Sequence, residues 1–518
     1  MRLIHRVLTL PQDSLGSAAI QFFAFLAVYF VCTVLAQQSL NDAAERLQWE
    51  LRYSLLRQAL ASPLRKVERI GEARLFSFIG QDVRAIAEYL CWLPDAVVNI
   101  AVAIGCFGYM AWLSPAVLAF NLFFVVLAAA CYIVPQHRAQ HLARAAANAW
   151  DRHIGEIQYA LRGIKPLQLS RDKRADFGEK HFAKTGAAVR ELTRRSRFIH
   201  LFSERFAEAM VLGNVACLLF VLPRIINLPI ATATGLLLAA IFARQPLKDS
   251  LDVIPRTLKL RVILQRMEDS GLHPFAKPPA ETEGPAMGAV VPFSELELDR
   301  VTFHYEDDHD QPGFETGPFS MHIRAGEVVF IVGGNGAGKT TLAKLLCGLY
   351  TPSDGRVLLN GKPVAGKAGL AELHARFAAV FTDDPLFGHV LGVNAEKAES
   401  RGAEIIKELK LSPKVSLNGT HFSTIDLSQG QRRRLILLNA LLEDRPILLL
   451  DEWAADQDPG FRTFFYQFLV PELRARGKTL VLITHDDRYF DRADRVLKIE
   501  NGRLLSEKDA EEKTSVQA

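Results

Sequence analysis

Five apolar runs, each nearly free of charge and close to the length that crosses a lipid bilayer, dominate the first half of the chain: 17–36, 95–113, 116–135, 206–223 and 228–244. A helix rises about 1.5 Å per residue and a bilayer's hydrocarbon core is about 30 Å thick, so about 20 apolar residues span it. Buried core helices of a soluble protein are the alternative, but repetition at spanning length with charge excluded favours the membrane. The second and third runs meet at Ser114-Pro115, and the last two are joined by a short link holding Pro223, Asn227 and Pro229. Both links read as hairpins. The connections 37–94 and 136–205 are long, helical in pattern and rich in Arg and Lys, including Arg46, Arg52, Arg57, Arg65, Lys66, Arg69, Arg74 and Arg84. By the positive-inside tendency both face the cytoplasm. Asn99, Asn121, Tyr132 and Asn214 lie inside the runs, where they either line a cavity or pack against neighbouring helices.

Net charge is only +4, and no basic run is interleaved with aromatics, so nucleic acid is not the expected partner. The six cysteines form no CxxC pair and four sit in apolar runs, which reads as small hydrophobic residues rather than disulfides or a zinc site. The N-terminus lacks the pattern of a cleaved secretory signal.

The second half changes register. Residues 271–295, rich in Pro, Gly and Ala, read as a linker between a membrane domain (1–270) and an α/β domain (296–508), with 509–518 as a tail. In the α/β part, the strand-like run ending at Val332 leads into Gly333, Gly334, Asn335, Gly336, Ala337, Gly338, Lys339, Thr340 and Thr341, and then a helix. Strand, GxxxxGK[ST], helix is the context of a phosphate-binding loop. Its glycines let backbone N–H groups wrap phosphates, Lys339 reaches the β/γ oxygens, and the Thr340 hydroxyl suits Mg²⁺. A second strand, 446–452, ends in Asp451, placed to hold Mg²⁺, and Glu452, a candidate general base for an attacking water. Between them, Leu427-Ser428-Gln429-Gly430-Gln431 opens a helix and offers a second anion site. A third strand, 479–484, ends at His485, which could touch a γ-phosphate or be structural.

Taken as a set, the P-loop, the LSQGQ segment, the LLLDE strand and the Thr484-His485 pair resemble the nucleotide-binding domains of ABC transporters, over about 210 residues. The membrane half, with Gly80-Gln81-Asp82-Val83 in its first cytoplasmic loop, is similar to the exporter type of ABC transmembrane domain. The stretch Asp451-Glu452-Trp453-Ala454-Ala455-Asp456-Gln457-Asp458-Pro459 looks like the cyclic-peptide and siderophore exporter branch, which includes pyoverdine, syringomycin and microcin exporters.

This resemblance implies a multi-pass protein of the bacterial inner membrane that binds and hydrolyses ATP with Mg²⁺ and exports a peptide, cyclic peptide or siderophore-like molecule. It implies a homodimer in a lipid bilayer, with periplasmic or outer-membrane export components as further partners. Tyr305 would stack on adenine. Ser428, Gly430 and Gln431 would cap ATP on the partner's P-loop, Asp458 would link the two sites, and Glu452 with His485 would form the hydrolytic pair. Closure would push on cytoplasmic helices near Gln81–Ala85 and Ala160–Lys165. Where the family usually has a Gln that senses Mg²⁺ and couples to the membrane domain, this chain has Thr382; either its shorter hydroxyl takes the role, or Asp383 does, or coupling is arranged differently.

Two expectations remain open at this level. No residue distinguishes export from import of metal–siderophore complexes by the same architecture. Exporters of this type have six spans, whereas five are visible; Leu3-Ile4-His5-Arg6-Val7-Leu8 reads as the tail of an earlier helix, so the chain is expected to begin one helix late or to be truncated with ATPase but no transport activity, a genuine five-helix half being the rarer alternative. A soluble ribosome-acting ATPase is disfavoured by the membrane runs, and a peptidase-exporter by the lack of room for a protease domain.

Overall fold

The structure is a computed structural model describing residues 15–221, 230–276, 292–305 and 314–505. Contacts divide the chain into two units: residues 1–58 with 73–278, and residues 59–72 with 279–518.

The first unit is helical. Its long helices are α1 (Leu15–Leu60), α3 (Val83–Leu113), α4 (Pro115–Arg162), α5 (Ala183–Phe220), α6 (Ile230–Leu251) and α7 (Val253–Asp269); the short α2 (Leu64–Ile70) belongs to the second unit. The expected break at Ser114-Pro115 is a one-residue interruption, since Pro115 suits a helix start and Ser114 is extended. The long connections are mostly helical, as their pattern suggests, with interruptions at 61–63, Gly71, Gly163 and Ser170.

Three helical stretches satisfy spanning length and apolarity: Ala19–Leu60, Arg74–Leu113 and Pro115–Pro135. The runs expected at 206–223 and 228–244 fall on α5 and α6, and neither meets that standard among the described residues. Glu208 interrupts the first, while residues 222–229 lie outside the description. So do residues 3–8 and 509–518, and most of the expected linker, 277–291. On α1, Phe23, Phe25 and Phe30 are 66%, 69% and 67% exposed, a surface that a bilayer's apolar interior accommodates and water does not. The polar residues inside the runs are hydrogen-bonded to neighbouring helices, and Tyr132 also lines a small pocket with Glu204, Glu208 and Arg244. Asn214 Nδ2 donates to Asn121 Oδ1 at 2.7 Å, Tyr132 donates to Asp252 at 2.8 Å, and Asn99 to Asp249 at 3.2 Å.

The second unit holds two main sheets. The four-stranded one runs β2 (Glu315–Arg324), β1 (Glu295–His304), β4 (Asp354–Leu359), β5 (Lys362–Pro363). The six-stranded one has the order β12-β11-β3-β10-β9-β6, comprising β3 (Val328–Gly333), β6 (Phe377–Val380), β9 (Ile447–Asp451), β10 (Thr479–Ile483), β11 (Arg495–Glu500) and β12 (Arg503–Leu504). A small hairpin pairs β7 (Leu417–Asn418) with β8 (His421–Phe422).

Strands β6, β9, β10, β3 and β11 are parallel, and β9 and β10 are buried at every residue. Uninterrupted Ile, Leu and Val runs are what a parallel sheet covered on both faces requires. Helices α8 (Lys339–Leu346), α9 (Ala395–Glu408) and α10 (Gln429–Glu443), together with Gly366–His374, are the longest α-helices described in this unit. Parallel pairing puts the C-terminal ends of β3, β6, β9 and β10 on one edge, the edge where ligands bind in open α/β sheets.

Candidate nucleotide site

Each strand of that edge delivers one element of the site. Strand β3 ends at Gly333, whose φ of 157° and tight fit leave no space for a Cβ, which would strike the Ile499 carbonyl oxygen. The loop then turns through Gly336 (φ 76°) and Gly338 (φ 98°), conformations that favour glycine. It delivers Lys339 to the first turn of α8. Lys339 is buried, and its Nζ donates to the Gly333 and Gly334 carbonyls at 3.0 and 3.1 Å. Asn335 at the loop's tip is exposed, and Ala337 packs into the core.

Strand β9 ends at Asp451, which is buried. The Thr340 hydroxyl donates to its Oδ2 at 2.8 Å, while Oδ1 is buried without a partner. Burial pushes the Asp451 carboxyl above its usual range; the Thr340 hydrogen bond works against that shift. The next residue, Glu452, takes φ 49°, a left-handed conformation rare outside glycine, held by its N–H donating to the Ile483 carbonyl at 3.0 Å. That turn aims its carboxylate at the P-loop lysine. Glu452 Oε1 lies 3.4 Å from Lys339 Nζ and 3.0 Å from His485 Nε2, and His485 Nε2 lies 3.1 Å from Lys339 Nζ. Three residues from three strand ends therefore meet at one point.

Strand β6 leads to Thr382, whose hydroxyl donates to the Asp451 backbone carbonyl at 3.0 Å. Tyr305 sits at the other side of the loop, with its hydroxyl 2.7 Å from Thr341 Oγ1.

The remaining expected residues lie apart from the P-loop. Ser428 and Gln431 form a reciprocal capping box at the start of α10, with contacts of 3.4 and 3.3 Å. The Gly430 carbonyl accepts from Gln457 at 3.2 Å. Among the described residues, no hydrogen bond joins these three to the P-loop. Asp458 caps the helix Pro459–Phe464, and the backbone N–H of Phe461 holds its carboxyl below the usual range, with Arg434 beside it.

Sequence reasoning missed the clamp behind these residues. Arg434 donates to Gln457 at 2.9 Å and to Asp458 at 2.6 Å, and its guanidinium lies 3.5 Å above the Phe461 ring. Arg433 donates to the Phe381 and Thr382 carbonyls at 3.2 and 2.5 Å and pairs with Asp456 at 3.2 Å. Trp453, buried against α10, donates its indole N–H to the Arg433 carbonyl at 2.8 Å. The available signal was the run Arg432-Arg433-Arg434 followed downstream by Asp456 and Asp458, three charges facing two.

The donor set suits a hard cation. Thr340 and Asp451 present oxygen only, and one carboxylate oxygen is orphaned in a buried place. Mg²⁺ matches such a site because it binds oxygen and keeps several of its waters.

A P-loop on a parallel sheet, with carboxylates at the end of the next strand but one, defines a P-loop nucleoside triphosphatase. The sequence profile of the ABC transporter family matches residues 317–455. The chain is 33% identical over 477 residues to the ATP-binding protein SyrD of Pseudomonas syringae pv. syringae, covering 90% of this chain and 83% of that protein. It is 24% identical over 523 residues to the ATP-dependent lipid A-core flippase of Ralstonia nicotianae, covering 96% and 83%. Its fold matches the structure of a bacterial Atm1-family ABC exporter with ATP bound, with TM-score 0.71 at 20% identity, over 99% of this chain and 92% of that one. The chain belongs to the ABC transporter family: it is a membrane protein that couples an ATP-binding ATPase domain to transport.

Proposed function

We propose that this chain is a half-transporter of the bacterial inner membrane that works as a homodimer, with its ATPase domain in the cytoplasm, and exports a peptide, cyclic peptide or siderophore-like molecule. The observation that carries the reading is the meeting of Lys339, Glu452 and His485 beside the P-loop. An ammonium among the P-loop carbonyls is ready to turn towards phosphate oxygens once ATP arrives. A carboxylate beside it can take the proton of an attacking water, and the imidazole between them can orient that water or the γ-phosphate. Thr340 and Asp451 would hold Mg²⁺, which supplies charge neutralisation on the β- and γ-phosphates when bound. Thr382 fixes the strand end that carries Asp451. Tyr305 would receive the adenine base, and Gly333, Gly334, Asn335, Gly336, Ala337, Gly338 and Thr341 would line the phosphates.

Ser428, Gly430 and Gln431 have no triphosphate of their own to bind. A second copy placed head to tail would bring them over ATP, with Asp458 near the junction. The likeness to SyrD and the tryptophan-containing turn at Trp453 favour the peptide and siderophore branch. The domain limits 1–270 and 296–508 go with this reading. Transport by inverted inner-membrane vesicles tests it, using the compounds that accumulate in cells lacking the chain. ATP-dependent uptake into inverted vesicles, abolished by Glu452→Gln, is the expected result. Uptake by right-side-out vesicles instead would make the protein an importer.

A further inference from the structure

Helix α2 (Leu64–Ile70) is part of the second unit although its chain neighbours on both sides belong to the first. Its residues grip two ends of the nucleotide site. Glu68 accepts from Tyr350 at 2.6 Å and from Lys344 Nζ at 2.9 Å, and Lys344 lies on α8, the helix that begins with Lys339. Leu64 packs on the hydrophobic core that contains Phe303 and Tyr350. Three residues before Glu68, the Arg65 guanidinium lies over the Tyr305 ring, 4.8 Å from its centroid.

We propose that Arg65 and the nucleotide base compete for the same face of Tyr305, so that α2 responds to occupancy of the base site. The inference rests on the reading of Tyr305 as the base platform. Tyr305 is fixed from the protein interior: Phe303 meets it edge-on with centroids 5.0 Å apart, Tyr350 edge-on at 6.3 Å, and Thr341 holds its hydroxyl. Phe303 and Tyr350 are both buried, and among the described residues the group seated over the Tyr305 ring is the Arg65 guanidinium. A planar base sandwiched between ring and guanidinium needs about 7 Å, twice a carbon–carbon contact of about 3.5 Å. The observed 4.8 Å is too narrow. ATP therefore has to displace Arg65, while Glu68 keeps the far end of α2 on Lys344 and Tyr350.

Calorimetric titration of the full-length chain in detergent, with ATP and with inorganic tripolyphosphate, both free of divalent cation, tests this. Removing a cation from an aromatic face is expected to tighten ATP binding about two- to fivefold in Arg65→Ala. Tripolyphosphate has no base, so its affinity stays the same, and its retention shows that the variant's phosphate site is folded. Arg65→Met, which keeps the aliphatic stem, gives the same shift. In a Tyr305→Ala background, Arg65→Ala adds nothing. ATP binding that is unchanged or weakened in Arg65→Ala, or an equal shift for both ligands, overturns the competition. A Tyr305→Ala chain that binds ATP as the native one does overturns the base platform itself, and native protein that binds neither ligand overturns the nucleotide site.

Discussion

Thr382 shows how one side chain can stand in a place where the family usually has a longer one. Its hydroxyl reaches the Asp451 carbonyl and so steadies the strand end that carries both carboxylates. Thr382→Val keeps the shape and removes one hydrogen bond, worth about 1 kcal/mol, so steady-state ATPase activity should fall about fivefold. Titrating Mg²⁺ against the rate checks this, and an unchanged rate would deprive Thr382 of its role. Gly333→Ala is expected to abolish ATP binding in an equilibrium assay, because the added Cβ collides with the Ile499 carbonyl and the loop must move. Individual residues were unevenly legible. Lys339, Thr340, Asp451 and Glu452 could be read from the order of glycines and strands, since a phosphate loop is a local pattern. Arg433 and Arg434 could not: arginines opening a helix look solvated, and only distant partners such as Thr382 and Asp458 explain their burial.

At the level of elements, the turn after Glu452 is bolted to α10 by Trp453 from below and by the two arginines along its side. Trp453 is 1% exposed. Trp453→Ala should therefore cost about 3–5 kcal/mol of stability, read as a lowered midpoint in thermal or denaturant unfolding followed through the second unit. A loss within about 0.5 kcal/mol would mean that the indole does not anchor the turn. The parallel strands were readable because unbroken runs such as Ile447–Leu450 suit only a sheet covered on both faces. Spans on α5 and α6 were less so: hydropathy sees composition along the chain, whereas Glu208 is accommodated through Arg205, Arg244 and Lys248, two of them on another helix. The position of α2 was invisible for the same reason. Its Arg and Glu look like a solvated basic loop until Tyr305, Lys344 and Tyr350 are seen beside them.

For the whole molecule, the account requires two copies. The LSQGQ residues are the start of α10 and are bound to their own turn; in the proposed dimer a neighbour's nucleotide would meet them. With the six native cysteines replaced, Asn335→Cys combined with Ser428→Cys should cross-link in the presence of ATP, giving a species of twice 57.6 kDa on a non-reducing gel. Failure to cross-link, or a cross-link only within one chain, would argue against the head-to-tail pair. The central claim is that this chain hydrolyses ATP by a water activated at Glu452. The most direct measurement is phosphate release by the purified full-length chain and by Glu452→Gln, alongside ATP binding to each. Hydrolysis in the native chain, a loss of at least about a hundredfold in the variant, and equal ATP binding are expected. Robust turnover by Glu452→Gln would contradict the account.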